Sequence, residues 1–464
     1  MDDIEKALLK DLPDAKELNA LLRLSDVKKF YWDTDNYVRS AILEERCVVI
    51  KDRSALKGIM IMENRAPQRG YTHRSLAIGS LAVHPKYRNE GFGIKLVEYA
   101  KELGFNKNLR LYSESFSEYK KINFYQSLGF KRGASRLYNG KPYHVFFLDP
   151  RNIPAFPKSK TIQVSDRLEY LFYLKEMSVI PSDVTFENLF VYNSPSRRIS
   201  LSLLNGNVII TVKRDDDVAL YPIVGVNQLD KTVLQCMYWL SRNSNNGRFI
   251  RFPLSTAFSL QPTTKVSLRI QKERDHFDYL YDPRLLTFFN HPKLRTQKQN
   301  LMRFLEKNPS EKHLTPSMRR DIKDFKDSWM DHYTLLQKRR GKPVSERLVE
   351  EYQAITKALV YQRSLDLHVG GIYLSDRLQG FSVIEFFNKT AYVHFEKATR
   401  KKGAYQAVVQ QEGRSALEQG ARVINREQDL GMPGLRTSKM RYNPIGFLEK
   451  CKILQPPAKN LKRL

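Results

Sequence analysis

The stretch Leu81-Ala-Val-His-Pro-Lys-Tyr-Arg-Asn-Glu-Gly-Phe-Gly-Ile94 decides how the rest of the chain is read. It ends a strand-like run, Leu76 to Val83, and opens a helix whose apolar residues Ile94, Val97, Ala100 and Leu103 recur at helical spacing, with Gly104 placed to cap its C-terminal end. A second strand-like run, Leu109 to Ser113, completes a strand, turn, helix, strand pattern. Gly91 and Gly93 let backbone amides approach a ligand closely, and the free N–H groups of a helix start suit an anion such as a pyrophosphate. Arg88 supplies a bidentate cation beside them. Glycines at such a turn are more often structural than functional, so the turn alone assigns no ligand.

A second motif, Asn123-Phe-Tyr-Gln-Ser-Leu-Gly-Phe130, follows the second strand on an expected helix. RxxGxG followed by FYxxxGF resembles the acetyl-coenzyme A binding signature of GNAT-family N-acetyltransferases, over the first 150 residues. The resemblance implies that Leu81 and Val83 offer backbone groups to the pantetheine arm, that Arg88, Gly91 and Gly93 cradle the pyrophosphate, and that Tyr125 is the general acid for the departing thiolate. Many relatives carry a glutamate base on the strand before the motif, where this chain has Gly79-Ser80. Glu114, in Tyr112-Ser-Glu-Ser115, is the candidate replacement, acting through a water; a solvated strand end is the equally weighted alternative.

Working outward, helical patterning spans Ala15 to Leu24, and strand-like runs occupy Cys47 to Lys51 and Leu56 to Met62. Asp149-Pro-Arg-Asn-Ile-Pro-Ala-Phe-Pro157 carries three prolines in nine positions and reads as a linker. Beyond it, Arg198 to Leu204 and Asn207 to Lys213 form a hairpin around Asn205-Gly206. From His291 to Arg340 the pattern is helical and strongly basic, and a last α/β stretch has strands near Gly371 to Leu374, Gly380 to Phe386, Ala391 to Phe395 and Arg422 to Asn425.

The densest polar clusters are Ala391-Tyr-Val-His-Phe-Glu-Lys-Ala398 and the stretch from Ile424 to Pro444. Extended backbone through Arg426 to Asp429 sends Arg426 and Gln428 to one face and Glu427 and Asp429 to the other, and Arg436 and Lys439 share a face if a helix begins after Gly431-Met-Pro-Gly434. A salt-bridge network joining strand to helix and a charged active site both fit this cluster.

HFEKA, INREQDLGMPGLR and SKMRYNP resemble the terminal signature of the C-terminal catalytic domain of phosphatidylglycerol lysyltransferases. Ser182-Asp-Val-Thr-Phe-Glu-Asn-Leu-Phe190, Phe277-Asp-Tyr-Leu-Tyr281, the basic stretch Lys293 to Phe304, and Leu314-Thr-Pro316 before Trp329 extend the resemblance upstream. It implies a tandem GNAT-like, Fem-related fold and an aminoacyl-tRNA donor. The enzyme would then position an acceptor and stabilise an oxyanion rather than activate the amino acid. On that reading Arg436 and Lys439 serve the developing charge or terminal phosphates, and Glu396, Glu427 or Asp429 hold the donor's ammonium. Arg426 and Tyr442 line the substrate site, with Tyr405 and Tyr442 either contacting the terminal adenosine or packing. Lys293, Arg295, Lys298 and Arg303 begin the tRNA footprint, with a solvated basic face as the alternative.

The expected fold class is α/β (α+β), three GNAT-like units, each a mixed twisted sheet flanked by helices. The expected division is 1–152 (GNAT acetyltransferase-like), 153–162 (Pro-rich linker), and 163–300 and 301–464 (the two halves of the lysyltransferase-like domain). Bulk composition bounds the function. Of 464 residues 41% are hydrophobic and 28% charged, which suits packed cores. The net charge of +28 exceeds the ~2 to 8 that suffices for solubility in a small domain and points to a polyanionic partner. No run approaches the ~20 apolar residues that span a bilayer, and Met1-Asp-Asp-Ile-Glu5 is acidic where a signal peptide is basic, so the expectation is a cytoplasmic protein, peripheral to the membrane at most. Three scattered cysteines and nine histidines without ligand spacing predict neither disulfide nor metal.

The leading expectation is an acyltransferase joining an acetyl-CoA-dependent N-acetyltransferase to an aminoacyl-tRNA-dependent aminoacyltransferase, lysine favoured, with a lipid, small-molecule or peptide acceptor and anionic lipid as a further partner. Two alternatives are a GNAT enzyme whose C-terminal part only recognises RNA or substrate, and a non-enzymatic binder of RNA or anionic surfaces.

Overall fold

A computed structural model describes residues 4–25, 34–52, 55–65, 75–107, 109–116, 122–138, 141–149, 152–244, 246–264, 268–313, 319–339, 341, 343 and 345–454. Two compact units emerge: 1–152 with 164–169, and 153–163 with 170–464.

The first unit is a seven-stranded mixed sheet in the order β1-β2-β3-β4-β5-β7-β6. Its strands are β1 (Ile4–Lys6), β2 (Cys47–Asp52), β3 (Ala55–Arg65), β4 (Ser75–Val83), β5 (Arg110–Phe116), β6 (Lys131–Tyr138) and β7 (Lys141–Leu148). Helices α1 (Leu12–Ser25) and α2 (Arg39–Leu43) cover one face, through Leu12, Ala15, Leu18, Ala41 and Ile42 packed on Val49, Ile59 and Ile61. Helices α3 (Phe92–Asn106) and α4 (Ile122–Ser127) cover the other, through Leu96, Val97, Ala100 and Tyr125 packed on Met60, Ile78 and Phe146. The helix expected to stop at Gly104 runs on to Asn106. Gly104 instead lets the helix approach β5, since a Cβ there would stand 3.0 Å from Leu111.

β4 and β5 are the parallel pair of this sheet, and their pairing ends at Ile78 with Ser113 although both strands continue. The two strands therefore part, leaving a fork between Gly79–Val83 and Glu114–Phe116. No described strand pairs with Leu81 and Val83 on the side away from β3.

The second unit carries two seven-stranded sheets that interlace in sequence. One holds β8 (Lys160–Thr161), β9 (Arg198–Leu204), β10 (Asn207–Arg214), β11 (Asp217–Leu220), β12 (Arg248–Pro253), β13 (Arg269–Lys272) and the far C-terminal β21 (Lys450–Leu454), which lies between β12 and β13. The other holds β14 (Asp278–Tyr281), β15 (Ser310–His313), β16 (His368–Leu374), β17 (Arg377–Phe387), β18 (Thr390–Ala398), β19 (Val423–Asn425) and β20 (Gly446–Leu448). Residue 300 is therefore no seam between sheets: β14 joins the later sheet from before it, and β21 joins the earlier one from near the end of the chain. The segment read as a linker is bonded into the earlier sheet, Phe156 N donating to Leu203 O and Leu203 N to Pro154 O, each at 2.8 Å. The hairpin at Asn205-Gly206 forms with φ of 51° and 74°, as a two-residue primed turn requires.

Ten further α-helices are described: α5 (Arg167–Leu174), α6 (Phe186–Val191), α7 (Leu229–Asn243), α8 (Leu254–Leu260), α9 (Pro283–Phe288), α10 (Arg295–Leu305), α11 (Arg319–Arg339), α12 (Glu346–Val360), α13 (Ala404–Glu418) and α14 (Pro433–Met440). The basic stretch from His291 is thus two helices separated by strand β15, where Ser310–His313 pairs with β16. Leu314-Thr-Pro316 and Arg340 lie outside the described residues.

One unit is repeated three times: a parallel strand pair joined by a 15-residue helix that starts after a left-handed residue. β4-α3-β5 has Gly91 at φ 93°, β11-α7-β12 has Gln228 at 44°, and β18-α13-β19 has Gly403 at 90°. At Gly91 a Cβ would meet nothing within 4 Å among the described residues. At Gly403 it would stand 2.2 Å from the Asn300 carbonyl and 2.5 Å from Phe304, because α10 lies across the helix start. Gly403→Ala is therefore expected to cost about 2 kcal/mol or more from overpacking and a disfavoured φ, read as a lower denaturant midpoint.

Candidate functional sites

In the first unit α3 begins immediately after Gly91, so the amides of Phe92 and Gly93 precede the first intrahelical donors, Ile94 N and Lys95 N, which bond to Gly91 O at 2.9 and 3.0 Å. A Cβ at Gly93 would be in ordinary contact with Phe124 and Val83, 3.6 Å from each. Arg88 is half-buried at the end of a short 3-10 turn, Pro85–Tyr87, that brings it beside the helix start. Tyr125 packs edge-on against Phe124 and Phe130, and tilted against Phe146. Burial raises its phenol pKa, with Ser113 acting the other way, so it holds a proton at neutral pH. Glu114, on the other prong of the fork, accepts from the Tyr112 hydroxyl and lies 3.7 Å from Arg65.

In the second unit the extended backbone expected through Asp429 stops at Asn425, and Glu427 takes a left-handed φ of 53°. Alternation is lost, and the four side chains from 426 to 429 enter four different surroundings. Arg426 is 2% exposed and ion-pairs with Glu396, with Glu412 3.5 Å from its Nε. The rings of Tyr442, Tyr281 and Tyr405 stand 4.9, 5.5 and 5.9 Å from its guanidinium carbon. Burial alone would raise the Glu396 pKa, but Arg426 and Lys439 outweigh it and bring it down to about 2. Burial, then the neighbouring Glu396, push Glu412 well up, so one acid is charged and the other neutral. Arg426 and Glu396, expected to bind substrate, thus bind each other. Tyr442 is 3% exposed, and the Tyr405 hydroxyl donates to Glu396.

Asp429 is fully buried and saturated. It accepts from Tyr279 Oη at 2.6 Å, Arg274 Nη1 at 3.0 Å, Gly431 N at 2.9 Å and Arg436 Nε and Nη2 at 2.9 Å each. Against the opposing effect of burial, Arg436 and Tyr279 bring its pKa down to about 2. Arg436 Nη2 also donates to Asp275 at 2.7 Å. Helix α14 does form, and Lys439 on it is buried with its ammonium on the Arg426 carbonyl. Burial lowers the Lys439 pKa.

Glu427 keeps a 19% exposed side chain and accepts from Asn188 Nδ2 and His394 Nδ1, each at 2.9 Å. His394 Nε2 meets Glu385 at 2.8 Å. Burial opposes the imidazolium, but the two carboxylates hold the His394 pKa at about 10. Sequence reasoning missed His394 and Glu385 as functional residues; His394 stands in the quoted HFEKA, but its acidic partners come from β17 and from beyond β19. The last cluster missed is Asp183, Asp278 and Lys450, where the fully buried Lys450 ammonium bonds to Asp183 and, at 2.5 Å, to Asp278.

Lys293, Arg295, Lys298 and Arg303 are all exposed on or just before α10, while Leu301 and Phe304 bury its other face. Gln297 Nε2 reaches the Arg441 carbonyl at 3.3 Å, tying α10 to the end of α14. Among the described residues no group of His, Cys, Asp and Glu could hold a metal, and no helix is long and apolar enough to cross a membrane.

The family model for the C-terminal domain of phosphatidylglycerol lysyltransferase matches residues 208–450, and that for the acetyltransferase (GNAT) domain matches residues 44–132. Among solved structures, a conserved protein of unknown function from Bacteroides thetaiotaomicron is 22% identical with a TM-score of 0.59, over 64% of this chain and 99% of its own. L-PGS from Bacillus licheniformis is 12% identical with a TM-score of 0.46, over 66% and 94%. The ribosomal-protein-S18-alanine N-acetyltransferase from Escherichia coli is 18% identical with a TM-score of 0.28, over 34% and 99%. No curated protein matches.

Because the folded His394 pKa of about 10 lies above its ordinary 6.5, its pairing contributes stability that is complete below pH 6.5 and fades as pH rises toward 10. Thermal melts from pH 6 to 10 are expected to fall for the wild-type protein and to flatten for His394→Gln.

Proposed function

The chain belongs to the phosphatidylglycerol lysyltransferase C-terminal family, and from that premise we propose an acyltransferase with two donors: acetyl-coenzyme A in the first unit and an aminoacyl-tRNA in the second. Both matched families are transferases. The observation that carries the division of labour is the difference between equivalent helix starts. Gly91 is open, so a pyrophosphate can reach the α3 amides, whereas α10 covers Gly403 and the Arg426–Glu396 pair lies at the parting of β18 and β19. A coenzyme of the same kind has no room at the second place.

In the first unit Arg88, Gly91 and Gly93 bind the coenzyme phosphates, the unpaired edge of Leu81 and Val83 aligns the pantetheine arm, and protonated Tyr125 donates to the thiolate. In the second unit Glu427 is the acid best placed to hold the donor's ammonium, since Asp429 is saturated and Glu396 is committed to Arg426. The exposed cations of α10 take the acceptor-stem phosphates. Arg436 and Lys439 shape this loop, one against Asp429 and the other against the Arg426 carbonyl. A groove of about 610 Å³ lined by Leu254, Phe258, Leu280, Tyr392, Phe447 and Leu448 suits an acceptor with an apolar part, such as a lipid. Lysine is the favoured amino acid, and the compartment is the cytoplasm, where both donors are made.

The test is transfer of label from a mixture of aminoacyl-tRNAs to lipid and amine acceptors by the full-length protein. Glu427→Gln is expected to lower transfer about 100-fold and, because it takes one carboxylate from His394, to lower the melting temperature at neutral pH while the circular dichroism spectrum stays as in the wild type. Replacing Lys293, Arg295, Lys298 and Arg303 by Ala is expected to weaken tRNA binding and to flatten its dependence on salt by roughly one unit of slope for each phosphate that is no longer neutralised. Absence of transfer from every charged tRNA sinks the second donor.

A further inference from the structure

The acetyltransferase reading leaves one role without a residue, because Gly79-Ser80 stands where a base is expected. The structure fills that place from the neighbouring strand. A Cβ on Gly79 would lie 3.0 Å from Glu63 Oε1 and 2.9 Å from the Tyr37 hydroxyl, so the Glu63 carboxyl occupies the space a residue-79 side chain would take. Gly79 is also the first β4 residue past the last β4–β5 pair, at a register shift opposite Ile61 and Met62. The carboxyl therefore stands at the opening of the fork.

Cross-strand partners fix the faces. Glu63 pairs with Ala77 and Ala77 with Tyr112, which puts Glu63 on the sheet face opposite α3. Tyr125 belongs to the α3 face, packed with Met60 and Ile78. One proton acceptor and one proton donor thus flank the fork from its two sides. The Tyr37 hydroxyl donates to Glu63 Oε1 at 3.1 Å, and Arg65 Nη2 lies 3.7 Å from Oε2, which orients a side chain that is still 32% exposed. Glu114 is less well placed: it sits on the other prong, paired across to Val145, with its Oε1 held by Tyr112.

The geometry points to Glu63 as the general base of the first unit, taking over from the side chain that position 79 lacks. This rests on the acetyl-coenzyme A reading. The amine nitrogen forms the N–C bond to the acetyl carbonyl carbon and its proton passes to the Glu63 carboxylate. The C–S bond breaks, and the sulfur leaves with the electron pair and takes the Tyr125 proton, giving an amide and the free thiol. Tyr37 is a positioning residue for Glu63.

The test uses the full-length protein with acetyl-coenzyme A and three probe amines, spermidine, lysine methyl ester and an alanyl peptide, following thiol release. Glu63→Gln is expected to lower kcat about 100-fold, to leave coenzyme Kd and the melting temperature unchanged, and to regain rate at alkaline pH where the amine is already deprotonated. Glu114→Gln is expected to stay within about threefold of wild type, and Tyr37→Phe to move the acidic limb of the pH profile without changing coenzyme Kd. Wild-type kcat in Glu63→Gln, or the drop appearing in Glu114→Gln instead, overturns the assignment. Coenzyme binding without transfer to any probe also overturns it and leaves the coenzyme reading standing. Failure of the wild-type protein to bind acetyl-coenzyme A overturns that reading and the base with it.

Discussion

A fully buried ammonium, Lys450 between Asp183 and Asp278, holds the second unit in one arrangement. A charge taken out of water costs several kcal/mol unless its partners are in place, so all three groups must assemble together. They come from β21, from the turn before α6 and from β14. Asp278 also accepts from Ser182 N and Oγ and from Asn425, and Asp183 accepts from Gln428 and Arg251. The same network therefore fixes both ends of the 425–428 segment. Through it the last strand of the chain is locked into the earlier sheet, and the backbone that presents Glu427 is aimed.

The repeated strand, helix, strand unit shows how one local design serves different ends. A left-handed residue followed by a 15-residue helix recurs in all three sheets. What differs is what lies over the helix start and between the parted strands. In the first sheet a Cβ on Gly91 would meet no atom of the described residues within 4 Å, and the partly exposed Glu63 and Glu114 stand at the fork. In the third sheet α10 covers the helix start, and an arginine with its own carboxylates and tyrosine rings takes up the space beside the parted strands. That arginine needs its counter-ions for the same reason as Lys450, which explains why several residues with substrate-binding chemistry are committed to one another.

The net charge of +28 divides along the same line. Arg426, Arg436 and Lys450 are matched by internal acids and add little to the outer field. The cations of α10 are exposed, and Lys293, Arg295, Lys298 and Arg303 form no ion pair among the described residues. An unmatched positive face of this kind supplies a field that reaches a polyanion at about a Debye length, roughly 8 Å at physiological salt.

Local elements are legible along the chain. Period and glycine placement fixed β4-α3-β5, the Asn205-Gly206 hairpin and the helical start of α14, because turn chemistry and amphipathic spacing act between near neighbours. The sequence also marked Glu396, within the 391–398 stretch, and the 424–444 stretch as a chemical centre. Which of those groups are committed to one another depends on the assembled fold. Whether Asp429 or Glu427 is saturated depends on Tyr279, Arg274 and Asn188, more than a hundred residues away. The same holds for Glu63, which acquires a role by lying across a strand from Gly79, and for β21, whose place is set by burying Lys450. Cross-strand register and the pairing of buried charges are properties of the assembled sheets, and no spacing along the chain encodes them directly.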